Sequence, residues 1–299
     1  MNSFLTGLLF KRHPRKLFYA VYMKLGEIKE KVFLKNSSQK TDVSRRHSIV
    51  CQTPFCIAVR LEVKSSDIDS SVLIIEVDKN PVALLNLKLL HTLKESNESI
   101  LIFQITTAEC FQQGFLQKYF LLKHIFKNKK HPYLESKIYA AIYSYPRKVI
   151  IVSFKDGDYY NIFPMDFQGY YPEENIYLLG LRTTNITLSK IINAKQVAIS
   201  NIDTTDVKTV YDLGAHHGTS PPKIKDLPFK IFESEALKFP IPEFASEYKE
   251  VEIIKHYNLG SHTMLVGKVV NSKKIKNHLA SFYHVHFFEQ ANVNYPGAS

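Results

Sequence analysis

Asp156-Gly157-Asp158-Tyr159-Tyr160-Asn161-Ile162-Phe163-Pro164-Met165-Asp166 stands directly after the apolar run Val149–Phe154. A glycine between two aspartates is a turn signal, so the runs on either side predict a hairpin of Val149–Phe154 and Tyr159–Phe163. The second arm ends in Asn-x-x-Pro. An Asn side chain both donates and accepts, which suits the polar edge of a bound ring; Asn161 and Pro164 would equally serve simply to shape a strand end. Working outward, Ile176–Leu181, Val197–Asn201, Glu250–Ser261, Thr263–Val270 and Ala280–Phe288 also read as strands, with short helices at Thr187–Asn193 and Thr205–Tyr211. Six or seven strands with few helices predict a small closed barrel, since closure removes exposed strand edges.

Three further segments carry possible chemistry. Arg182-Thr183-Thr184-Asn185-Ile186-Thr187-Leu188-Ser189-Lys190-Ile191 puts a cation, hydroxyls and an amide before a helix start. Helix N-termini expose unpaired N–H groups that favour anions, and Arg182 adds a charge-assisted contact. The same residues make a helix cap, with Asn185 or Thr184 at the N-cap. Gly260-Ser261-His262-Thr263-Met264-Leu265-Val266-Gly267-Lys268-Val269 places a histidine at the start of a strand, for proton handling or for structural hydrogen bonds. Leu213-Gly214-Ala215-His216-His217-Gly218-Thr219 has adjacent histidines without further ligands at metal spacing, so no metal is expected there.

In order and spacing, these segments resemble the flavin reductase-like, FMN-binding split β-barrels, relatives of the pyridoxamine-phosphate oxidase fold. The resemblance covers about residues 145–290. It implies an α+β chain, mainly β in its C-terminal half: a split β-barrel domain over 145–299, preceded by a mixed α/β domain over 1–144 with no recognised family. It implies FMN as cofactor, with Asn161, Ile162, Phe163, Pro164 and Met165 along the ring. Arg182, Thr183, Thr184, Asn185 and Thr187 would lie at the phosphate. His262 would take the catalytic role, and NADH or NADPH would be a transient co-substrate. The family context further implies a homodimer and a small-molecule or protein electron acceptor. Asp166 departs from the family, which often has Ser or Thr nearby. Lys223, Lys225 and Asp226 run in a different order from the family's Asp-Lys pair. An FMN-binding electron-transfer or regulatory protein, or a flavin-free barrel acting as an interaction module, are the alternatives. His284 and His286 alternate on a strand and are expected to face solvent or a partner.

The rest of the chain bounds these readings. Its 299 residues are 45% hydrophobic, with 20 Phe and 17 Tyr, which supports a large core and excludes disorder. No Gly-x-Gly-x-x-Gly, Walker loop or Gly-x-Ser-x-Gly elbow is present. The formal charge is +11. Residues 1–145 hold 22 Lys+Arg against 12 Asp+Glu, and residues 146–299 hold 17 against 16. So biased a half can attract nucleic acid, an anionic membrane surface or an acidic partner, or simply keep the chain soluble. The odd set Cys51, Cys56 and Cys110 reads as buried thiols rather than a disulfide framework. Met1–Phe10 is apolar but precedes its basic residues, the reverse of a secretory signal, so a cytoplasmic protein is expected. Residues 1–46 read as a basic helix, with Leu17, Tyr19, Val21, Tyr22 and Leu25 on one face, followed by a loop. Phe55–Val63, Val72–Val77 and Ile100–Thr106 read as strands. Helices are expected from Asn80-Pro81 through Leu93, over Phe111–Lys130, and over Tyr133–Tyr145.

Overall fold

In the computed structural model, residues 18–37, 39–62, 68, 70–95, 98–111, 114, 119, 133–202, 207–216, 219–277, 280–286 and 295 are described. Eight strands come first: β1 Phe18–Met23, β2 Lys31–Lys35, β3 Lys40–Asp42, β4 His47–Gln52, β5 Phe55–Leu61, β6 Ser70–Val77, β7 Asn80–Glu95 and β8 Glu98–Cys110. Helix α1, Tyr133–Ile142, leads into β9 Arg147–Lys148, β10 Ile150–Asp156, β11 Tyr159–Met165, β12 Gln168–Tyr171 and β13 Ile176–Arg182. Then come α2 Leu188–Ala194, β14 Gln196–Ile202, α3 Val207–Gly214, β15 Ile231–Glu233, β16 Pro240–Pro242, β17 Ala245–Asn258, β18 His262–Lys274 and β19 Ser281–His286.

Two seven-stranded antiparallel sheets dominate. The first runs β3-β2-β6-β7-β8-β5-β4, the second β11-β10-β14-β17-β18-β13-β12. The second sheet curls until its two edges become neighbours in the chain, since only Asp166 and Phe167 separate β11 from β12. Phe167 O accepts a hydrogen bond from Gly180 N at 2.7 Å, which anchors this link to β13. The inner faces of six of these strands share one core that includes Val152, Phe163, Leu179, Ile199, Val251 and Leu265. Burying each such aliphatic side chain stabilises the fold by about 1.5–3 kcal/mol.

One face of the first sheet packs on α1, through Ile138, Tyr139 and Ile142 against Phe55, Ile57 and Phe103. Its other face meets the outside of the second sheet, where Val50, Cys51, Ala58 and Ile102 pack with Leu178, Met264 and Val266. The approach is close: a Cβ on Gly180 would lie 2.5 Å from Val50 O, so β13 and β4 could not come together over any other residue. Cys51 and Cys56 face one another across β4 and β5 as buried free thiols, and Cys110 is half-buried.

The strands expected in the second half are all present with small shifts at their ends. The first half differs from expectation at three places. Asn80–Leu93 is a strand, not a helix. Asp78 and Lys79 adopt φ of 49° and 66°, the two-residue hairpin turn that joins β6 to β7. Buried Ala83, Leu85 and Leu87 then alternate with more exposed neighbours, a period of two. Pro81 sits beside a register shift, where the ladder tolerates a missing N–H. Residues 18–23 form β1 rather than a helical face; β1 pairs with β19 and buries Val21 and Met23. Pairing with the end of the chain overrides local periodicity there. Within the loop expected over residues 36–44, Lys40–Asp42 forms strand β3, which pairs with β2. The described part of residues 1–144 thus holds eight strands and one α-helix. The Phe111–Lys130 helix reading falls almost wholly outside the described residues. Among those described, no helix is long and apolar enough to cross a membrane.

Candidate functional site

A cleft of about 480 Å³ opens where the Asp166–Phe167 link meets the end of β13 and the start of β18. Its apolar lining includes Phe163, Met165, Phe167 and Leu181, and Arg182, Asn185, Gln52, Asp166, His262 and His284 supply polar groups. Of the residues expected from sequence, Phe163, Pro164, Met165, Arg182, Asn185 and His262 line this cleft. Strand register brings the last two segments together, for Arg182 pairs with His262 across β13 and β18.

The other expected residues stand behind or beside it. Asn161 is fully buried; its Nδ2 donates to Thr187 Oγ1 at 2.7 Å, and its Oδ1 accepts from His216 Nε2 at 2.8 Å. Thr187 is also fully buried, and Tyr159 Oη lies 2.8 Å from its hydroxyl. Ile162 faces the opposite way, into a core with Ala20 and Phe282, as a period of two demands of the residue between Asn161 and Phe163. Thr183 and Thr184 are exposed, and Thr183 Oγ1 donates to Ser261 O at 3.2 Å. Asn185 Oδ1 accepts from Thr187 N at 2.8 Å, a local turn leading into α2, whose N-cap position is Thr187 rather than the expected Asn185 or Thr184; Asn185 also lines the cleft. His217 falls outside the described residues.

His262 is buried and stacks on Phe167, with ring centroids 5.1 Å apart. Gln52 N–H donates to its Nδ1 at 3.3 Å, and Ser261 Oγ lies 2.9 Å from the same atom. A backbone N–H can only donate, so Nδ1 is an acceptor and the neutral ring carries its proton on Nε2. Ser261 is itself held by Thr53, whose N–H donates to Ser261 Oγ at 2.8 Å. This turn requires Gly260: its φ is +114°, and a Cβ there would lie 2.4 Å from Thr53 O.

Across the cleft, Asp166 Oδ2 accepts from Tyr143 Oη at 2.7 Å and from His284 Nδ1 at 2.9 Å. His284 therefore has the opposite tautomer: Nδ1 carries the proton, and the neutral ring's Nε2 accepts from Tyr211 Oη at 3.2 Å. Tyr211 and His284 stack almost parallel, at an interplanar angle of 5°. Burial alone would raise the Asp166 carboxyl, but the hydrogen bonds from His284 and Tyr143 hold it below its ordinary range. Burial, with the charge of Asp166, pushes Tyr211 up to about 12. His284 and His286 do not face solvent as expected. β19 lies between β1 and β9, so its residues are covered: His286 is 1% exposed and His284 lines the cleft.

The lining residues that sequence reading missed come from distant segments: Gln52, Tyr139, Tyr143, Tyr211 and His284. Only Tyr139 and Tyr143 carried a local signal, a spacing of four that puts both on one face of a helix.

No protein-family model matches the chain, and no curated protein does. Solved structures do. The NADH:FAD oxidoreductase SgcE6 of Streptomyces globisporus C-1027 matches at 15% identity over 51% of this chain and 90% of its own, with a TM-score of 0.45. An FMN-binding protein from Thermus thermophilus matches at 20% over 44% of this chain and 73% of its own, with a TM-score of 0.39. A flavoredoxin from Methanosarcina acetivorans matches at 14% over 45% and 72%, with a TM-score of 0.39. The solved structures that this chain resembles, over about half of its length, are flavin reductases and FMN-binding split-barrel proteins.

Proposed function

We propose that this cleft binds FMN and that the protein is a flavin-reductase-like oxidoreductase. It would take reducing equivalents from NADH or NADPH and pass them to a small-molecule or protein acceptor. The observation that carries the reading is the composition of the cleft: an apolar strand-end wall with a few convergent polar groups, in the size range of small-ligand sites. The donor set fits the cofactor. Phe163, Pro164, Met165 and Phe167 offer apolar surface to a planar ring. Among the described residues Arg182 Nη2 donates only to the neutral Gln52 Oε1, at 3.2 Å, and so keeps its charge for a phosphate. Asn185 adds an amide beside it.

Bound flavin supplies the hydride and electron chemistry, and the chain supplies binding and orientation. His262, fixed by Gln52 and Ser261, holds a proton at Nε2. Asp166 fixes the His284 ring, and His284 in turn orients the Tyr211 hydroxyl, which holds a proton on the opposite side. In this reading Asn161 and Thr187 act from behind, bracing β11 against the start of α2. Thr183 and Thr184 lie at the exposed rim on the phosphate side. Residues 145–299 form the flavin-binding domain of a homodimer, and residues 1–144 contribute Gln52, Tyr139 and Tyr143 to the cleft.

The test is the visible absorbance of purified protein with added FMN, followed by anaerobic NADH or NADPH. Retained flavin bands that bleach support the reading. Flavin bands that neither nucleotide bleaches would replace it with an FMN-dependent electron-transfer role. Failure to retain FMN would overturn it.

A further inference from the structure

A second cleft, of about 460 Å³, lies on the other side of Asp166, lined in part by Arg45, His47, Arg147, Lys148, Glu247 and Lys249. Its electrostatics differ from those of a solvated basic face, because several of its cations are buried. Arg147 is 6% exposed; its Nε donates to Ile142 O at 2.9 Å, while its Nη2 is buried without a hydrogen-bond partner. Nε2 of the adjoining His47 is also buried without a partner. Among the described residues Lys148 Nζ makes no hydrogen bond or ion pair, and burial holds its ammonium down to about 8. Lys249 is held to about 8 by burial and then by the charge of Lys148.

The carboxylates at this cleft are already engaged. Asp166 receives Tyr143 and His284, and Glu247 receives Lys249 and Asn201. Among the described residues no carboxylate forms an ion pair with Arg147 or Lys148, and Asp166 acts on Arg147 only at longer range. Four cations against two carboxylates leave an excess of two positive charges around one concave surface. Buried cations without partners are costly, and an oxyanion that accepts several hydrogen bonds relieves that cost. The cleft is also lined by the aromatic rings of Tyr145, Tyr170, Tyr177 and Tyr283.

We infer that this second cleft binds the phosphoryl group of a small aromatic phosphate, with Lys148 and Arg147 as its principal contacts. The charge excess matches a dianion rather than a monocarboxylate, and the tyrosines suit a planar substituent on the phosphate. The inference is independent of flavin binding in the first cleft.

Titration calorimetry of the full chain at constant ionic strength tests it, with phenyl phosphate, inorganic phosphate and benzoate as probes. Saturable binding of phenyl phosphate is expected, tighter than that of either other probe. Lys148→Gln should weaken it at least tenfold, and Arg182→Gln, in the first cleft, should leave it unchanged. If Lys148→Gln does not fold, Arg45→Gln on the exposed rim should still weaken binding severalfold. No binding of phenyl phosphate overturns the proposal, as does binding lost with Arg182→Gln but retained with Lys148→Gln. Benzoate binding as tightly as phenyl phosphate overturns the assignment to a dianion.

Discussion

The two large sheets have the same number of strands and the same antiparallel pairing, yet the links that join their edge strands differ in what they carry. In the first, only residues 43–46 separate β3 from β4, and its faces are covered by α1 on one side and the second sheet on the other. The second curls so that β11 and β12 are separated only by Asp166 and Phe167. A near-closed sheet has a seam where the ladder is interrupted, and backbone and side chains at a seam can be used for something other than strand pairing. Both clefts open at this seam, with Asp166 in the wall of each. The first sheet lends Gln52, at the end of β4, to the first cleft, and Ser44 and Arg45, from its own edge link, to the second.

The most direct way to break this contrast is Asp166→Asn. It removes a charged acceptor from both Tyr143 and His284. Hydrogen bonds to a charged group contribute about 1.5–3 kcal/mol each, and an Asn oxygen recovers part of that. A net loss of about 2–3 kcal/mol in urea unfolding is expected, with weaker ligand binding in both clefts. A change confined to one cleft, or no loss of stability, would mean that Asp166 does not organise the seam.

Arg182→Gln separates the clefts. Removing one charge-assisted contact of about 1.5–3 kcal/mol should weaken FMN binding roughly 10–100-fold in fluorescence titration. Tyr211→Phe should leave FMN affinity nearly unchanged while slowing anaerobic reduction by NADH about 100-fold, at the low end of what a positioned proton donor contributes. If Tyr211→Phe changes affinity instead of rate, its hydroxyl acts on binding and not on proton handling.

The second cleft has its own signature in pH. Lys148 and Lys249 sit near 8 in the folded protein against an ordinary value of 10.5. Between those values the unfolded chain carries protons that the folded chain does not, so their contribution to stability rises with pH from about 8. Compared with wild type, Lys148→Met should show a flatter rise in melting temperature between about pH 8 and 9.5. Parallel curves would place the Lys148 ammonium in ordinary solvent.

The seam explains how much could be read beforehand. The strands of the curled sheet were legible because Gly157 marks a hairpin between apolar runs; Gly260 likewise marks the turn before β18. Phe163–Met165, Arg182, Asn185 and His262, which line the first cleft, could be singled out because they sit in short segments that carry the family resemblance. Tyr143 and His284 were not, because they reach Asp166 from 23 and 118 residues away, and pairing at that separation leaves no periodic trace. Asp166 itself stood out only as a departure from an expected pattern. In the first sheet, Asn80–Leu93 misled because Pro81 resembles a helix start and Leu84, Leu85, Leu87 and Leu89 fit either period. Its turn, Asp78-Lys79, lacks the glycine that announces one.

That turn gives the smallest test. Lys79 holds φ at +66°, a conformation costing a residue with a side chain about 1 kcal/mol or more relative to glycine. Lys79→Gly relieves the strain but adds freedom to the unfolded chain, which offsets part of the gain. A net stabilisation of about 0.5 kcal/mol is expected, seen as a small rise in the urea midpoint at constant slope. Lys79 lines neither cleft, so ligand binding should not change in either. A ligand effect from Lys79→Gly would mean that the two sheets share strain, and the first sheet would then be part of the seam rather than its support.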